Sequence, residues 1–181
     1  MDNRAQKRSY GVKDQYCADF LCRVPTIEDM EKKWDYEISN AEDPENWIAW
    51  KKKYISHFQK RDSIPYYGFL NGNPICEATA MLNPDMVQNS ENLVSHDTVY
   101  LCAFRTVPEY QGKGYFSKLF QYMMDDLRER GFKRVTLGVE PGEQKNRDIY
   151  HHYGFTQYVK WATEVYPDGT TISVDYYAKD L

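Results

Sequence analysis

Residues 99–116 read VYLCAFRTVPEYQGKGYF, and they constrain the chain more than any other stretch. An apolar run, Val99 to Phe104, breaks at Val107-Pro108 and passes through Gln111-Gly112-Lys113-Gly114. Beyond it Phe116, Leu119, Phe120, Met123, Met124 and Leu127 recur at helical spacing. This is a strand, a turn and a helix N-terminus in direct succession. Such a junction suits an anion, because the first helical turn offers unpaired N–H groups and the positive end of a dipole, and glycine lets a ligand approach the backbone. Arg128, Arg130 and Gly131 supply the charges and the stop that end the helix, and Arg134 to Val139 follows as a buried strand. Strand, helix and strand in this order imply a parallel pair with a right-handed crossover.

The remaining chain reads as one domain, residues 1–181. Its length can bury a core without disulfides or metals. A net charge of -4 argues against a general nucleic-acid binder. No apolar run reaches the roughly 20 residues of a membrane span, and the N-terminus lacks the apolar core of a signal peptide, so the expected location is the cytoplasm, with no membrane partner. Cys17, Cys22, Cys76 and Cys102 form no C-x-x-C pair and have no histidine at ligand spacing, so we expect reduced thiols and no metal.

Residues 1–15 are polar and aperiodic, a tail or an added edge segment. Ala18 to Val24 reads as a first strand ending at Pro25, after which Thr26 and Asp29 outline a capping box for a helix carrying Ile27, Met30, Trp34 and Ile38. Asp43 as N-cap and Pro44 at the first helical position start a second helix, with Trp47, Trp50, Tyr54 and Phe58 on one face. That aromatic stripe reads as core packing, with the mouth of a substrate site as the sharper alternative. Tyr66 to Leu70 and Ile75 to Met81 form a hairpin about Asn71-Gly72-Asn73-Pro74. Asn83 to Asp97 reads as a surface loop or an ordered excursion beside the site, the loop being favoured. A short helix through Tyr150 to His152 and a last hairpin about Tyr166-Pro167-Asp168-Gly169 complete the order β-α-α-β-β-β-α-β-α-β-β.

Two separated signatures in this chain resemble the GNAT superfamily of N-acetyltransferases. One is the pyrophosphate loop Q/R-x-x-G-x-G/A after V-x-P, represented by Val107-Pro108 and Gln111 to Phe116, where Phe116 stands in place of the usual glycine or alanine. The other is Y-x-x-x-G-F, present as Tyr150 to Phe155. The asparagine that many relatives carry eleven residues before that glycine is replaced by Glu143, and Asn146 lies one turn nearer. A P-loop fails on spacing because it needs G-x-x-x-x-G-K-[ST], and a dinucleotide fingerprint fails because Ser117 stands where its third glycine would fall.

The resemblance implies an α/β fold with a mixed, mostly antiparallel sheet of about seven strands and helices on both faces. It implies acetyl-CoA as cosubstrate, with no metal, lying where the strand ending at Val107 parts from the one ending at Glu140. Backbone groups around Phe104, Arg105 and Val107 would pair with the pantetheine arm; Gln111, Gly112, Lys113, Gly114, Tyr115 and Phe116 would hold the pyrophosphate; Asn146 would add a contact. Tyr150 would protonate the departing thiolate, a phenol being protonated at neutral pH. The strand Tyr100 to Thr106 has no carboxylate, so the base is sought in Glu77 or Glu140, with His151 and His152 read as surface residues. The implied function is transfer of an acetyl group to a primary amine of a small molecule or peptide. A non-catalytic acyl-CoA-binding module, or transfer of another acyl group or to a hydroxyl, are the alternatives. Pairing of C-terminal strands into a homodimer is what the family allows.

Overall fold

The computed structural model describes residues 20–181. Its elements run β1 (Phe20–Arg23), α1 (Ile27–Asn40), α2 (Glu45–Gln59), β2 (Ser63–Leu70), β3 (Asn73–Met81), β4 (Thr98–Thr106), α3 (Tyr115–Glu129), β5 (Arg134–Val139), α4 (Gln144–His152), β6 (Gln157–Val165) and β7 (Thr171–Asp180). The expected order holds throughout. Of the first expected strand, Ala18 and Asp19 lie outside the described residues, as does the segment 1–15. The seven strands form one sheet in the order β1-β2-β3-β4-β5-β7-β6, antiparallel except for the β4–β5 pair.

Local chemistry sets the element ends. Thr26 accepts the Asp29 N–H at 3.2 Å while the Asp29 carboxylate accepts the Thr26 N–H at 2.7 Å, a reciprocal cap that starts α1. Arg23 grips the same carboxylate at 2.7 and 3.1 Å, which ties the helix to β1. Asp43 accepts the Glu45 N–H at 3.2 Å, and Pro44 already has helical angles, so the proline start of α2 is as expected to within a residue. Asn71 and Gly72, at φ 50° and 78°, make the two-residue turn that joins β2 to β3.

Alternation along β2 divides the core. Ile64 and Tyr66 face α3, whose Leu119, Phe120, Met123, Met124 and Leu127 are all buried, whereas Tyr67 and Phe69 face Met30 and Trp34 of α1. Phe155 anchors the end of α4 on the α3 side. A third cluster corrects the reading of residues 83–97 as a surface loop: Leu93 and Val94 are buried against Val174 and Tyr176 of β7. Leu93 is completely buried, worth about 1.5–3 kcal/mol, and its carbonyl accepts from Thr136 at 2.8 Å. The same segment closes part of the outer edge of β6. Gln88 accepts the Val165 N–H at 2.9 Å and donates to its carbonyl at 3.0 Å, and Asn89 donates to the Thr163 carbonyl at 2.8 Å. These side chains occupy edge groups that another strand would need.

Candidate active site

The site follows from one irregularity in β4. Glu77 pairs with Arg105 and Thr79 with Cys102, so Ala78 alone faces Ala103 and Phe104, and Ala103 sits at φ 56°. This is a bulge, and it bends β4 away from its parallel neighbour. Pairing with β5 runs only from Thr98–Arg134 to Leu101–Leu137 and then stops. Beyond that point the sheet has a slot.

Three cavities meet at the slot, and Phe104 lines all three. The slot itself, about 310 Å³, is walled by Cys102 to Phe104 on one side and Leu137 to Glu140 on the other. On the α3 side it opens into a groove of about 770 Å³ lined by Gln111, Gly112, Gly114, Tyr115, Phe116, Ser117 and α4. On the α1–α2 side it opens into a chamber of about 460 Å³ lined by Trp34, Trp47, Trp50, Tyr54, Tyr166 and two carboxylates, Glu77 and Glu164. The channel thus passes through the sheet.

The groove fits a diphosphate. Gly112 and Gly114 adopt φ 70° and 79°, and no atom lies within 4 Å of where a Cβ would stand on either. Alternate turning of the backbone points successive N–H groups to one side, and α3 begins at Gly114 with no side-chain cap and no acidic residue in its first turn. Phe116 does not obstruct this path. Its ring turns inward against Phe104, Phe120 and Tyr153. Lys113 points over the Tyr110 ring and does not line the groove, whereas Lys145 does.

The backbone contacts expected along β4 need one correction. The Val107 N–H donates to the Ile75 carbonyl at 2.9 Å, so Val107, and by alternation Arg105, direct their backbone groups to β3. Phe104, which lines slot and groove, and Thr106, which lines the groove, are the residues turned away from β3, and the Thr106 carbonyl accepts from the Gln111 side chain at 3.0 Å. Arg105 lines both the chamber and the groove.

Tyr150 lines both slot and groove, its ring set edge-on to Phe104 at 5.6 Å. Burial, and then the charge of Glu143, push its phenol up to about 12. Gly154, at φ 94°, reverses the chain after α4, and Phe155 beyond it is fully buried, so the Y-x-x-x-G-F spacing anchors the turn that presents Tyr150. Asn146 donates to Glu143 at 2.9 Å, and both residues stand at the rim of the slot. His151 meets Tyr177 edge-on and His152 meets Tyr153 edge-on, and both histidines are exposed.

Neither expected base occupies a simple position. Glu77 lines the chamber but is 3% exposed and ion-paired with Lys33, and Arg105 lies 3.8 Å from the same oxygen while bonding Glu37 at 2.6 Å. Burial pushes the Glu77 carboxyl up, and Lys33 opposes that shift. Glu140 is exposed at the far rim of the slot. Trp47, Trp50 and Tyr54 of α2 pack on the α1 cluster, as the core reading expects, and they also wall the chamber. Across its mouth Trp50 meets Tyr166 edge-on at 5.4 Å, and Asn46 exchanges two hydrogen bonds with Asp168, at 2.8 and 3.0 Å.

Sequence reasoning passed over Glu164 and Cys102. Cys102 lies between chamber and slot, 3.4 Å from the Tyr54 hydroxyl, and burial pushes its thiol up to about 12, so it stays protonated and is a poor nucleophile. Glu164 lies in an alternating edge strand, where a glutamate signals nothing beyond a solvated face.

Comparison with known proteins bears on the fold and the family. N-alpha-acetyltransferase 30 of Schizosaccharomyces pombe is 31% identical over 71 residues, 39% of this chain; the match spans about half of that relative, 47% of its length. The ribosomal-protein-S18-alanine N-acetyltransferase of Escherichia coli superposes with TM-score 0.66 at 16% identity, covering 90% of this chain and 94% of the other. A Salmonella typhimurium structure with acetyl-CoA as its cofactor superposes with TM-score 0.61 at 17% identity, covering 91% and 95%. The model of the Acetyltransferase (GNAT) family matches residues 24–155, and this chain belongs to that family.

Proposed function

We propose that the protein is an acetyl-CoA-dependent N-acetyltransferase that moves an acetyl group directly to a primary amine. The observation that carries this reading is the through-sheet channel: a glycine cradle on one face, an aromatic chamber on the other, and Tyr150 at the slot between them. Acetyl-CoA supplies the acetyl group already activated as a thioester. Gly112, Gly114 and the first turn of α3 hold its pyrophosphate by backbone N–H groups. Phe104 and Thr106 hold its pantetheine arm as a neighbouring strand would. Tyr150 keeps its proton at neutral pH and gives it to the leaving sulfur. The protonated Cys102 supports direct transfer over a route through an enzyme thioester. Peptide amines stand among the candidate acceptors because a relative is named an N-alpha-acetyltransferase and a structural neighbour a ribosomal-protein-S18-alanine N-acetyltransferase.

The test is a thiol-release assay with acetyl-CoA across peptide N-termini, amino acids, polyamines and aryl-alkyl amines, with mass detection of the acetylated product. Amine-dependent release is expected; binding of acetyl-CoA without transfer to any amine would leave only a binding module.

A further inference from the structure

Resting on the acetyltransferase reading, we propose that Glu164 receives the acceptor's ammonium and removes its proton, and that the acceptor is a primary amine carried on an apolar or aromatic stem. The chamber has two carboxylates, and they are differently disposed. Glu77 is buried against Lys33 and Arg105, so its charge is already matched. Glu164 is half-buried and enters no ion pair among the described residues. It also lines the slot, which Glu77 does not, and so stands where amine and thioester must meet.

Its orientation is built into the sheet. Tyr176 donates to Oε1 at 2.7 Å, and the Tyr100 hydroxyl lies 3.4 Å from the same oxygen. Oε2 has no partner among the described residues. Burial first, then the charge of Glu164 for Tyr100 and the hydrogen bond to Glu164 followed by its charge for Tyr176, push both phenols up, so they remain donors to a carboxylate. Gly138 of β5 makes room for them: a Cβ there would come within 3.1 Å of the Tyr100 hydroxyl oxygen and of Tyr176 Cε1, and 2.6 Å of Val174 Cγ1. The chamber around this carboxylate includes Trp50, Tyr54, Tyr166 and Val87, which can cover an apolar stem and offer ring faces to an ammonium, together with two cations, Arg105, which faces Glu37 and Glu77, and Lys53.

The proton balance closes. The ammonium gives one proton to Glu164, and the freed lone pair bonds the acetyl carbon as the carbon–sulfur bond breaks. The sulfur takes the Tyr150 proton. The second nitrogen proton, lost as the amide forms, restores Tyr150 through solvent, and Glu164 releases its proton when product leaves. One proton is released per turnover.

Three readouts separate this role from a structural one. Wild type, Glu164→Gln and Glu164→Asp are titrated with tryptamine, spermidine and a tetrapeptide amide without donor, by calorimetry. Acetyl-CoA affinity is measured by calorimetry. Turnover is compared between the best of these amines and hydroxylamine, which is unprotonated at pH 7. Glu164→Gln should keep acetyl-CoA affinity within twofold, weaken ammonium binding at least tenfold, and lower turnover with the alkylamine by about 10²–10³-fold. With hydroxylamine its loss should be under tenfold, and Glu164→Asp should recover part of the alkylamine rate. Equal losses with both acceptors, or alkylamine turnover within threefold of wild type, would overturn the assignment while leaving the transferase intact. A wild type that transfers to none of the acceptors would overturn both.

Discussion

Replacing Tyr150 with phenylalanine removes one oxygen from a ring whose packing on Phe104 is otherwise retained. The hydroxyl has no hydrogen-bond partner among the described residues, so the substitution orphans nothing and should change stability by less than about 0.5 kcal/mol. The chemical loss is larger. With the phenol at about 12, roughly one molecule in 10⁴ is ionised at pH 8, so essentially every Tyr150 can donate. A general acid of this kind contributes about 10²–10⁴-fold, or roughly 3–5 kcal/mol of barrier. The assay is stopped-flow thiol release at saturating acetyl-CoA and amine, with calorimetry for donor affinity and urea melts for stability. Tyr150→Phe should lower kcat at least a hundredfold while Kd stays within twofold and the urea midpoint is unmoved. A kcat within threefold of wild type would refute Tyr150 as the donor, and a parallel fall in affinity and stability would make it a packing residue.

Gly114→Ala meets no atom but forces a Cβ into the left-handed region, a strain of about 1–2 kcal/mol; calorimetry and urea melts should find that strain divided between weaker acetyl-CoA binding and lower stability, with no change in either refuting the loop geometry. Glu77→Gln leaves Lys33 buried without its counter-charge, so urea melts should show a loss of about 3–5 kcal/mol, whereas kcat of the folded fraction should fall less than tenfold. Asp29→Asn removes half of the cap on α1 and should cost about 1 kcal/mol at pH 7. Burial raises the Asp29 carboxyl, yet the bonds from Arg23 and Thr26 outweigh it and hold the group below the usual aspartate range. Its contribution is therefore full above that range and lost as pH falls through the lowered value, so the wild-type advantage should shrink in urea melts taken at progressively lower pH.

What could be read in advance was local. Gly112 and Gly114 ahead of an apolar helix, Thr26 with Asp29, Asn71-Gly72 and Tyr150-x-x-x-Gly154-Phe155 each carry their geometry within a few residues. The bulge in β4 was not legible, because nothing marks Ala103 as a residue that will take positive φ; the strand pairing on both sides imposes it. Glu164 was hidden for a topological reason. It lies on the outermost strand, with β7 between it and β5, and reaches the slot only because β4 bends away. The plug formed by Leu93 and Val94 was misread because that apolar pair sits in a largely polar segment of fifteen residues, and its partners Val174 and Tyr176 lie about 80 residues on.

The central claim is that the slot and its glycine cradle bind acetyl-CoA, and an equilibrium titration tests it without needing the acceptor. Calorimetry of the wild-type protein with acetyl-CoA should give saturable one-to-one binding, with affinity strongly reduced in Gly114→Asp, where a carboxylate would face the pyrophosphate. The absence of saturable binding, or equal affinity for wild type and Gly114→Asp, would contradict the account.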